Sequence, residues 1–307
     1  MTQDQRFGLM TGMGAYFIWG FLPLYLALLR HIEPADFLAH RVLWSVPTGL
    51  LLVVLAGRWR DVMTILASRN ALWLALASLL IGTNWLIFIW AVGQERVMEA
   101  SLGYFINPLV NVAVAAIFLS EKLRRLQWVA VIIAAIAVTV ETFALGRLPW
   151  VALALSATFA SYGLIKRQLV VDSRVSFTVE VLFILPLAVL WIGVALFQGR
   201  NIVGNGGTDI LLLLLAGPLT ATPLLLFTLA ARRLKFSTLG IMQYLGPSLQ
   251  FGVALALGEM LTPVRTITFV LIWLAVILFS VDAIRFDRQQ RKQRQSEALK
   301  ATVKPAL

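Results

Sequence analysis

The stretch ASLGYFINPLVNVAVAAIFLSEKL, residues 100–123, places a proline and two asparagines inside an apolar run of membrane-spanning length. The stretch STLGIMQYLGPSLQFGVALALGEML, residues 237–261, repeats its plan: a small residue, Leu-Gly, a proline, an apolar run and a terminal glutamate. A helix-breaking residue beside polar side chains, present once in each half of an apolar chain, is typical of a membrane carrier's binding site. These two stretches predict the architecture of the whole chain.

The composition excludes a water-soluble domain. Of 307 residues, 60% are apolar and 13% are charged, and the mean hydropathy is +0.85. The absence of cysteine excludes disulfides and thiolate metal sites. The sequence also contains no phosphate-binding loop or nucleophile motif, so we expect no enzyme activity, catalytic residue, metal or cofactor.

Ten segments are apolar enough to cross the bilayer core, which takes roughly 20 helical residues. With the spans placed this way, twenty Lys and Arg residues lie on one side and five on the other. Because basic loops stay in the cytoplasm, this alternation predicts an even number of spans with both termini cytoplasmic. The segments are 8–29, 36–56, 71–92, 99–119, 126–144, 149–165, 178–197, 210–230, 238–258 and 264–284.

Five spans in each half require the second half to enter the membrane from the opposite side. The predicted fold is therefore an all-α integral membrane protein of two inverted five-helix repeats, residues 1–145 and 146–285. Residues 286–307 form a basic cytoplasmic tail that we expect to be disordered and attracted to anionic lipid. The net charge of +11 lies in short loops and this tail rather than on a soluble face, so no nucleic-acid partner is expected.

Polar residues in the two repeated stretches are the main candidates for substrate binding. Their spacing places each set on one face of a helix, with Pro108 and Pro247 as the helix breaks. Asn84, in the middle of the third span, could add another amide. The alternative is that these side chains only bond neighbouring helices. The candidates are Tyr104, Asn107 and Asn111 in the fourth span, and Gln243, Tyr244 and Gln250 in the ninth; we predict that Asn107 and Gln243 face one cavity.

Three charged residues within predicted spans are further candidates for the site. Arg41 could extend to the outer headgroups, or it could face the cavity and bind an anionic substrate. Glu141 lies at a similar depth in the same half, which suggests that the two residues pair. Glu180 is placed near the cytoplasmic start of its span, either as an interfacial residue or as a carboxylate that couples transport to protons.

Several ordered segments resemble the drug/metabolite transporter (DMT) superfamily, its EamA-type permeases and, within them, the RarD branch. The resemblance rests on HRVLWS at 40–45, TNWLIFIWAV at 83–92, EASLGYFINPLVNV at 99–112 and STLGIMQYLGPSLQF at 237–251. It implies a ten-helix carrier in the bacterial inner membrane, built of two inverted EamA repeats. The residues that match the family's motifs are Arg41, Asn107, Pro108, Tyr244 and Pro247.

The function expected from these features is secondary transport of a small organic metabolite or drug-like solute by alternating access, as an exporter or exchanger. The expected partners are that solute and the lipid bilayer. Two alternatives stay open: a non-transporting sensor or assembly protein, and a passive channel. The repeated proline-bearing stretches favour the carrier, because a matched pair of broken helices is useful for rocking between two states.

Overall fold

The helices that carry the candidate binding residues come from both halves of the chain. The computed structural model describes residues 3–118, 124–169, 171–231, 233–234, 238–239 and 242–303. Within these ranges it contains eleven helices and no strand. The helices are α1 (Gln3–Ala27), α2 (Pro34–Leu55), α3 (Trp59–Leu66), α4 (Asn70–Gly93), α5 (Val97–Phe118), α6 (Arg125–Leu145), α7 (Trp150–Gln168), α8 (Ser173–Phe197), α9 (Gly207–Ala231), α10 (Leu245–Ala256) and α11 (Pro263–Val303).

Seven of these helices, α1, α2, α4, α6, α8, α9 and α11, are long and apolar enough to cross a membrane. α7 and α10 contain shorter apolar stretches, and α5 has 22 residues, about 33 Å of helix. Large apolar side chains cover the outside of the bundle: Leu72, Phe143 and Phe197 are 77%, 82% and 93% exposed. Such a surface requires lipid as its solvent, because a soluble protein would expose it to water.

Ten of the helices each overlap one of the ten predicted segments, and α3 is the helix that the apolar pattern did not predict. It is too short to span a bilayer, and it begins next to Arg58 and Arg60. Val62 is its buried residue and packs with Val175 and Val179 of α8. An apolar contact on one side and charges on the other are typical of a short helix at an interface.

Two predictions about continuity are wrong. The predicted span 238–258 is not one helix, because Gln243 and Tyr244 are turn residues and α10 begins at Leu245. Pro247 therefore lies in the first turn of α10, where a missing N–H costs nothing, instead of in mid-helix. The tail is not disordered through its length: α11 continues to Val303, since its Arg, Gln, Lys, Glu and Ala residues all have high helix propensity.

Glycines allow helices from the two halves to approach closely. A Cβ at Gly103 of α5 would lie 2.8 Å from the backbone oxygen of Ala152 in α7. A Cβ at Gly20 of α1 would lie 2.6 Å from the Leu249 side chain of α10. Small residues at such crossings let helix backbones pack in membranes, where no hydrophobic effect drives association.

Ion pairs among the described residues form two groups, and each pair joins residues assigned to the same predicted side. The outer group contains Arg30–Glu95, Arg200 with Glu33 and Asp36, Arg96–Glu99 and Arg265–Glu141, and His31 forms a hydrogen bond of 2.8 Å with Asp209 on the same side. The inner group contains Arg58 with Asp61 and Asp172, Arg174–Asp172, Arg124–Asp282, Lys166–Glu180 and Arg233–Asp4. A hydrogen bond from Arg174 lowers the pKa of Asp172 to about 2, so this carboxylate remains charged at physiological pH.

Two glutamates on the outer side fix helix starts. Glu259, in the loop after α10, accepts hydrogen bonds from the backbone N–H groups of Val97 and Met98 at the start of α5, the latter at 2.9 Å. Glu99 accepts one from the N–H of Val151 at the start of α7, at 3.0 Å. Burial raises the pKa of Glu259 above its ordinary value, and the two N–H groups oppose this shift. Glu259, the terminal glutamate of the second repeated stretch, therefore has a role at a helix end; Glu121, the terminal glutamate of the first, lies outside the described residues.

Candidate functional site

Arg41 is a buried arginine at the junction of the two halves. It lies on α2 and is 6% exposed. Its Nε donates a hydrogen bond of 2.8 Å to Thr220 Oγ1 of α9, and its guanidinium carbon lies 4.3 Å from the centre of the Trp85 ring of α4. Burial of a charged group costs of the order of several kcal/mol unless it is compensated. The interpretation of Arg41 as a residue that reaches for the headgroups does not fit this position.

A narrow cleft between α1, α2 and α9 meets Arg41. The Thr220 hydroxyl donates its own proton to the Ala216 carbonyl oxygen at 2.7 Å, which leaves its lone pairs free to accept from Arg41. The other walls are apolar or aromatic, so that Arg41 is the one charged group lining the cleft among the described residues. The cleft is lined by Leu22, Tyr25, Leu26, Phe37, Arg41, Ala216, Leu219 and Thr220.

Asn84 is used in helix packing. Its amide nitrogen donates to the Leu155 carbonyl oxygen and to Thr158 Oγ1 of α7, both at 2.9 Å. Its amide oxygen accepts a hydrogen bond of 3.2 Å from the hydroxyl of Tyr104 on α5. These contacts favour the alternative that Asn84 bonds neighbouring helices. They also affect the site indirectly. They hold α4 in place, and the neighbouring Trp85 contacts Arg41.

The polar face of α5 is buried but only partly used. Asn107 is buried, and its Oδ1 bonds to no described residue. Pro108 lies inside the helix and removes the hydrogen bond that its nitrogen would otherwise donate to the Tyr104 carbonyl oxygen. The side chain of Asn111 falls outside the part of the chain whose side chains are described. An unpartnered buried amide oxygen is uncommon in folded proteins and is a feature of sites that await a ligand.

The predicted face on the ninth span is only partly formed. Gln250 is buried on α10 and donates to the Trp19 carbonyl oxygen of α1 at 3.1 Å, while its Oε1 has no partner among the described residues. Gln243 lies in the turn before α10 and does not share a helical face with Gln250. Tyr244 packs against the largest apolar cluster. The Pro247 carbonyl oxygen accepts a hydrogen bond from Ser101 of α5 at 2.8 Å, which ties the two repeated stretches together.

The proposed pair of Arg41 and Glu141 is wrong. Glu141 Oε2 accepts a hydrogen bond of 2.8 Å from Thr268 of α11, and its Oε1 lies 3.7 Å from Arg265 Nε. Similar depth was a poor guide because α6 packs mainly on α11, whereas α2 packs mainly on α8 and α9. Equal depth in a bundle does not bring two helices into contact.

Glu180 is buried in a polar network at the inner end of α8. Its carboxylate accepts hydrogen bonds from Ser176 at 2.7 Å and from Tyr162 at 3.1 Å, and it forms an ion pair with Lys166. These contacts compensate the charge within the second half. They fit a structural role for this carboxylate better than a free proton-coupling one.

Thr220 and Tyr25 were missed as site residues. Thr220 lies within AGPLTATPLLL, residues 216–226, between Pro218 and Pro223, and both prolines lie inside α9. Polar residues between two prolines in an apolar span indicate a distorted helix near a binding site. Tyr25, whose hydroxyl donates to the Leu212 carbonyl oxygen at 2.7 Å, gave no comparable signal.

A multi-pass bundle with an arginine buried between its halves defines the class of this molecule: an integral membrane protein. The sequence model of the EamA-like transporter family matches residues 6–142. Over nearly its full length, the chain belongs to the EamA-type permeases of the DMT superfamily, in the RarD branch.

The similarity to individual relatives is extensive. An uncharacterized transporter of Vibrio cholerae is 42% identical over 295 residues, covering 95% of this chain and 98% of the relative. The protein RarD of Salmonella typhimurium is 42% identical over 292 residues, covering 94% and 99%. A solved crystal structure aligns with a TM-score of 0.59 over 91% of this chain and 98% of that chain; at 18% identity this likeness concerns the fold alone.

Proposed function

We propose that this protein is a secondary transporter that moves a small organic solute across the inner membrane by alternating access, as an exporter or exchanger. Residues 1–145 and 146–285 are the two halves, each with five spans, in inverted orientation and with both termini cytoplasmic. The site lies between the halves at Arg41, with Asn107 and Gln250 as further polar contacts.

The observation that carries this proposal is the matched packing of the two halves. If α1, α2, α4, α5 and α6 correspond to α7, α8, α9, α10 and α11, the most extensive contacts between helices occur in equivalent pairs. α1 packs on α9 as α7 packs on α4; α1 packs on α10 as α7 packs on α5; α2 packs on α9 as α8 packs on α4. Three more contacts join corresponding helices directly: α2 with α8, α5 with α10 and α6 with α11.

This arrangement suits a carrier because equivalent contacts on the two sides can exchange roles. In one state the contacts on the outer side close the site, and in the other their counterparts on the inner side close it. The two groups of ion pairs flank a bundle interior where Arg41 is buried. Several outer contacts join the two halves, including His31–Asp209 and Arg200–Asp36.

The test of transport compares cells that overproduce the protein with cells that carry an empty vector. Untargeted mass spectrometry of cells and medium is expected to find at least one small organic solute whose distribution changes. That solute should then show saturable counterflow in proteoliposomes. A set of metabolites that is unchanged by the protein would refute transport, and flux without saturation or counterflow would indicate a channel.

Asn107→Ala provides a variant for the same comparison. Because Asn107 Oδ1 bonds to no described residue, its loss breaks no internal contact of that oxygen, and the variant should fold. We expect a reduced rate of counterflow with normal yield and monodispersity. An unchanged rate would remove Asn107 from the site and leave the transport proposal in place.

A further inference from the structure

The terminal nitrogens of Arg41 meet no acceptor among the described residues. Its Nε is used by Thr220, but neither Nη1 nor Nη2 forms a hydrogen bond or ion pair with a described residue. Arg41 lines the cleft between α1, α2 and α9, which in this conformation is too narrow to hold a water molecule and must widen to admit a solute. Two parallel N–H donors in one plane match the two oxygens of a carboxylate.

The acidic side chains of the neighbouring helices are already paired. Asp36, on the same helix as Arg41, accepts from Arg200 and from the indole nitrogen of Trp191, the latter at 2.7 Å. Glu180 pairs with Lys166, and Glu141 contacts Arg265 and Thr268 as described above. Within the described part of the chain, the buried charge of Arg41 therefore has no counter-ion.

The surroundings of Arg41 also indicate the rest of the ligand. Trp85 covers one face of the guanidinium, so a ligand can approach in the plane of the donors. Tyr25 and Phe37 meet edge to face, with ring centres 5.9 Å apart, and form an aromatic wall of the cleft. Among the described residues that line the cleft, Arg41 is the single charged group, which matches one negative charge and not the two of a phosphate monoester.

We propose that Arg41 binds the carboxylate of an amphipathic organic acid, with the apolar part of the acid entering the α1–α2–α9 cleft when the cleft widens during transport. This inference rests on the proposed function, because it takes the cleft as the transport site. It limits the substrate to organic monocarboxylates with an apolar or aromatic body. Neutral amides of the same shape should bind poorly, since they would leave the guanidinium unpaired.

The test measures binding without transport. The purified full-length protein in detergent is heated with phenylacetate, indole-3-acetate or octanoate, and with the corresponding amide of each acid at equal concentration. We expect at least one acid to raise the melting temperature and its amide to bind at least tenfold more weakly. If no acid stabilises the protein, or if acids and amides stabilise it equally, the inference is overturned.

Three variants locate the effect. Arg41→Gln should abolish stabilisation by the acid, and Arg41→Lys should weaken binding at least tenfold, because an ammonium group cannot form the two parallel hydrogen bonds. Arg147→Gln removes an exposed arginine and should bind the acid like the unaltered protein. If Arg41→Gln does not fold, Thr220→Val provides the test: it keeps the charge but removes the hydroxyl that orients it, and should weaken acid binding about fivefold.

The two proposals fail in different ways. Binding of an acid through Arg41, together with a set of metabolites that the protein leaves unchanged, would refute transport and support the site. A solute that undergoes saturable counterflow equally well in Arg41→Gln would support transport and refute the role of Arg41.

Discussion

The replacement Gly103→Ala tests whether the close crossing of α5 and α7 holds the site together. The added Cβ would lie 2.8 Å from the Ala152 backbone oxygen and 2.9 Å from its Cα, whereas ordinary contacts begin at 3.4 Å. The obstacle is backbone, so the helices must separate by about 0.6 Å. Overpacking of this kind costs about 1–3 kcal/mol. We expect a lower melting temperature in detergent and slower counterflow, because Tyr104, the next residue, bonds Asn84 beside Trp85.

The matched control lies on the other helix of the same crossing. Gly163 of α7 is exposed, and a Cβ there would meet nothing within 4 Å. Gly163→Ala should therefore be neutral or stabilising by up to about 1 kcal/mol, from helix propensity alone. If Gly103→Ala is as stable and as active as Gly163→Ala, the close approach of α5 and α7 does not constrain position 103. The explanation that this position requires glycine for close packing is then refuted.

Three further predictions concern Glu259, the contact between His31 and Asp209, and the rejected pair of Arg41 and Glu141. Glu259→Ala should destabilise the protein by about 0.5–2 kcal/mol through loss of the α5 cap, and Glu259→Gln by less; thermal unfolding measures both, and a neutral Ala variant would contradict the cap. Because the chain has no cysteine, His31→Cys with Asp209→Cys allows a short bis-methanethiosulfonate reagent to link the halves through two mixed disulfides, which should block counterflow until a thiol reductant cleaves them; unaffected flux in the linked protein would contradict rocking. Glu141→Gln and Arg41→Gln should change stability additively within about 0.5 kcal/mol, whereas a larger coupling energy in the double-mutant cycle would restore the discarded pair.

Sequence reasoning located the helices well because the bilayer imposes a simple rule. A span must be about 20 residues long and apolar, so nearly every predicted segment overlaps a helix of similar length. The failures occurred where this rule gives no information. The start of α10 depends on the turn at Gln243 and Tyr244, and the helical tail depends on local propensity and not on hydrophobicity.

The candidate site was only partly predictable. Arg41 was identifiable from sequence because a charge inside an apolar segment is rare and costly. Asn107 and Gln250 were identifiable as polar residues in apolar spans, and both are buried with one unpartnered oxygen. Thr220 was not identified, because a threonine can satisfy its hydroxyl within its own helix, and its role depends on which helix faces it.

The sequence by itself determined that this chain is a helical membrane protein, where its apolar segments lie, and that Arg41 is an exceptional charge within them. It did so because hydrophobicity and charge are properties of single segments. Only the tertiary structure decided that Arg41 meets Thr220 and Trp85, and that Glu141 meets Thr268. Helical periodicity gives the depth of a residue and its direction around one helix axis, but the neighbour in that direction is set by packing among all the helices.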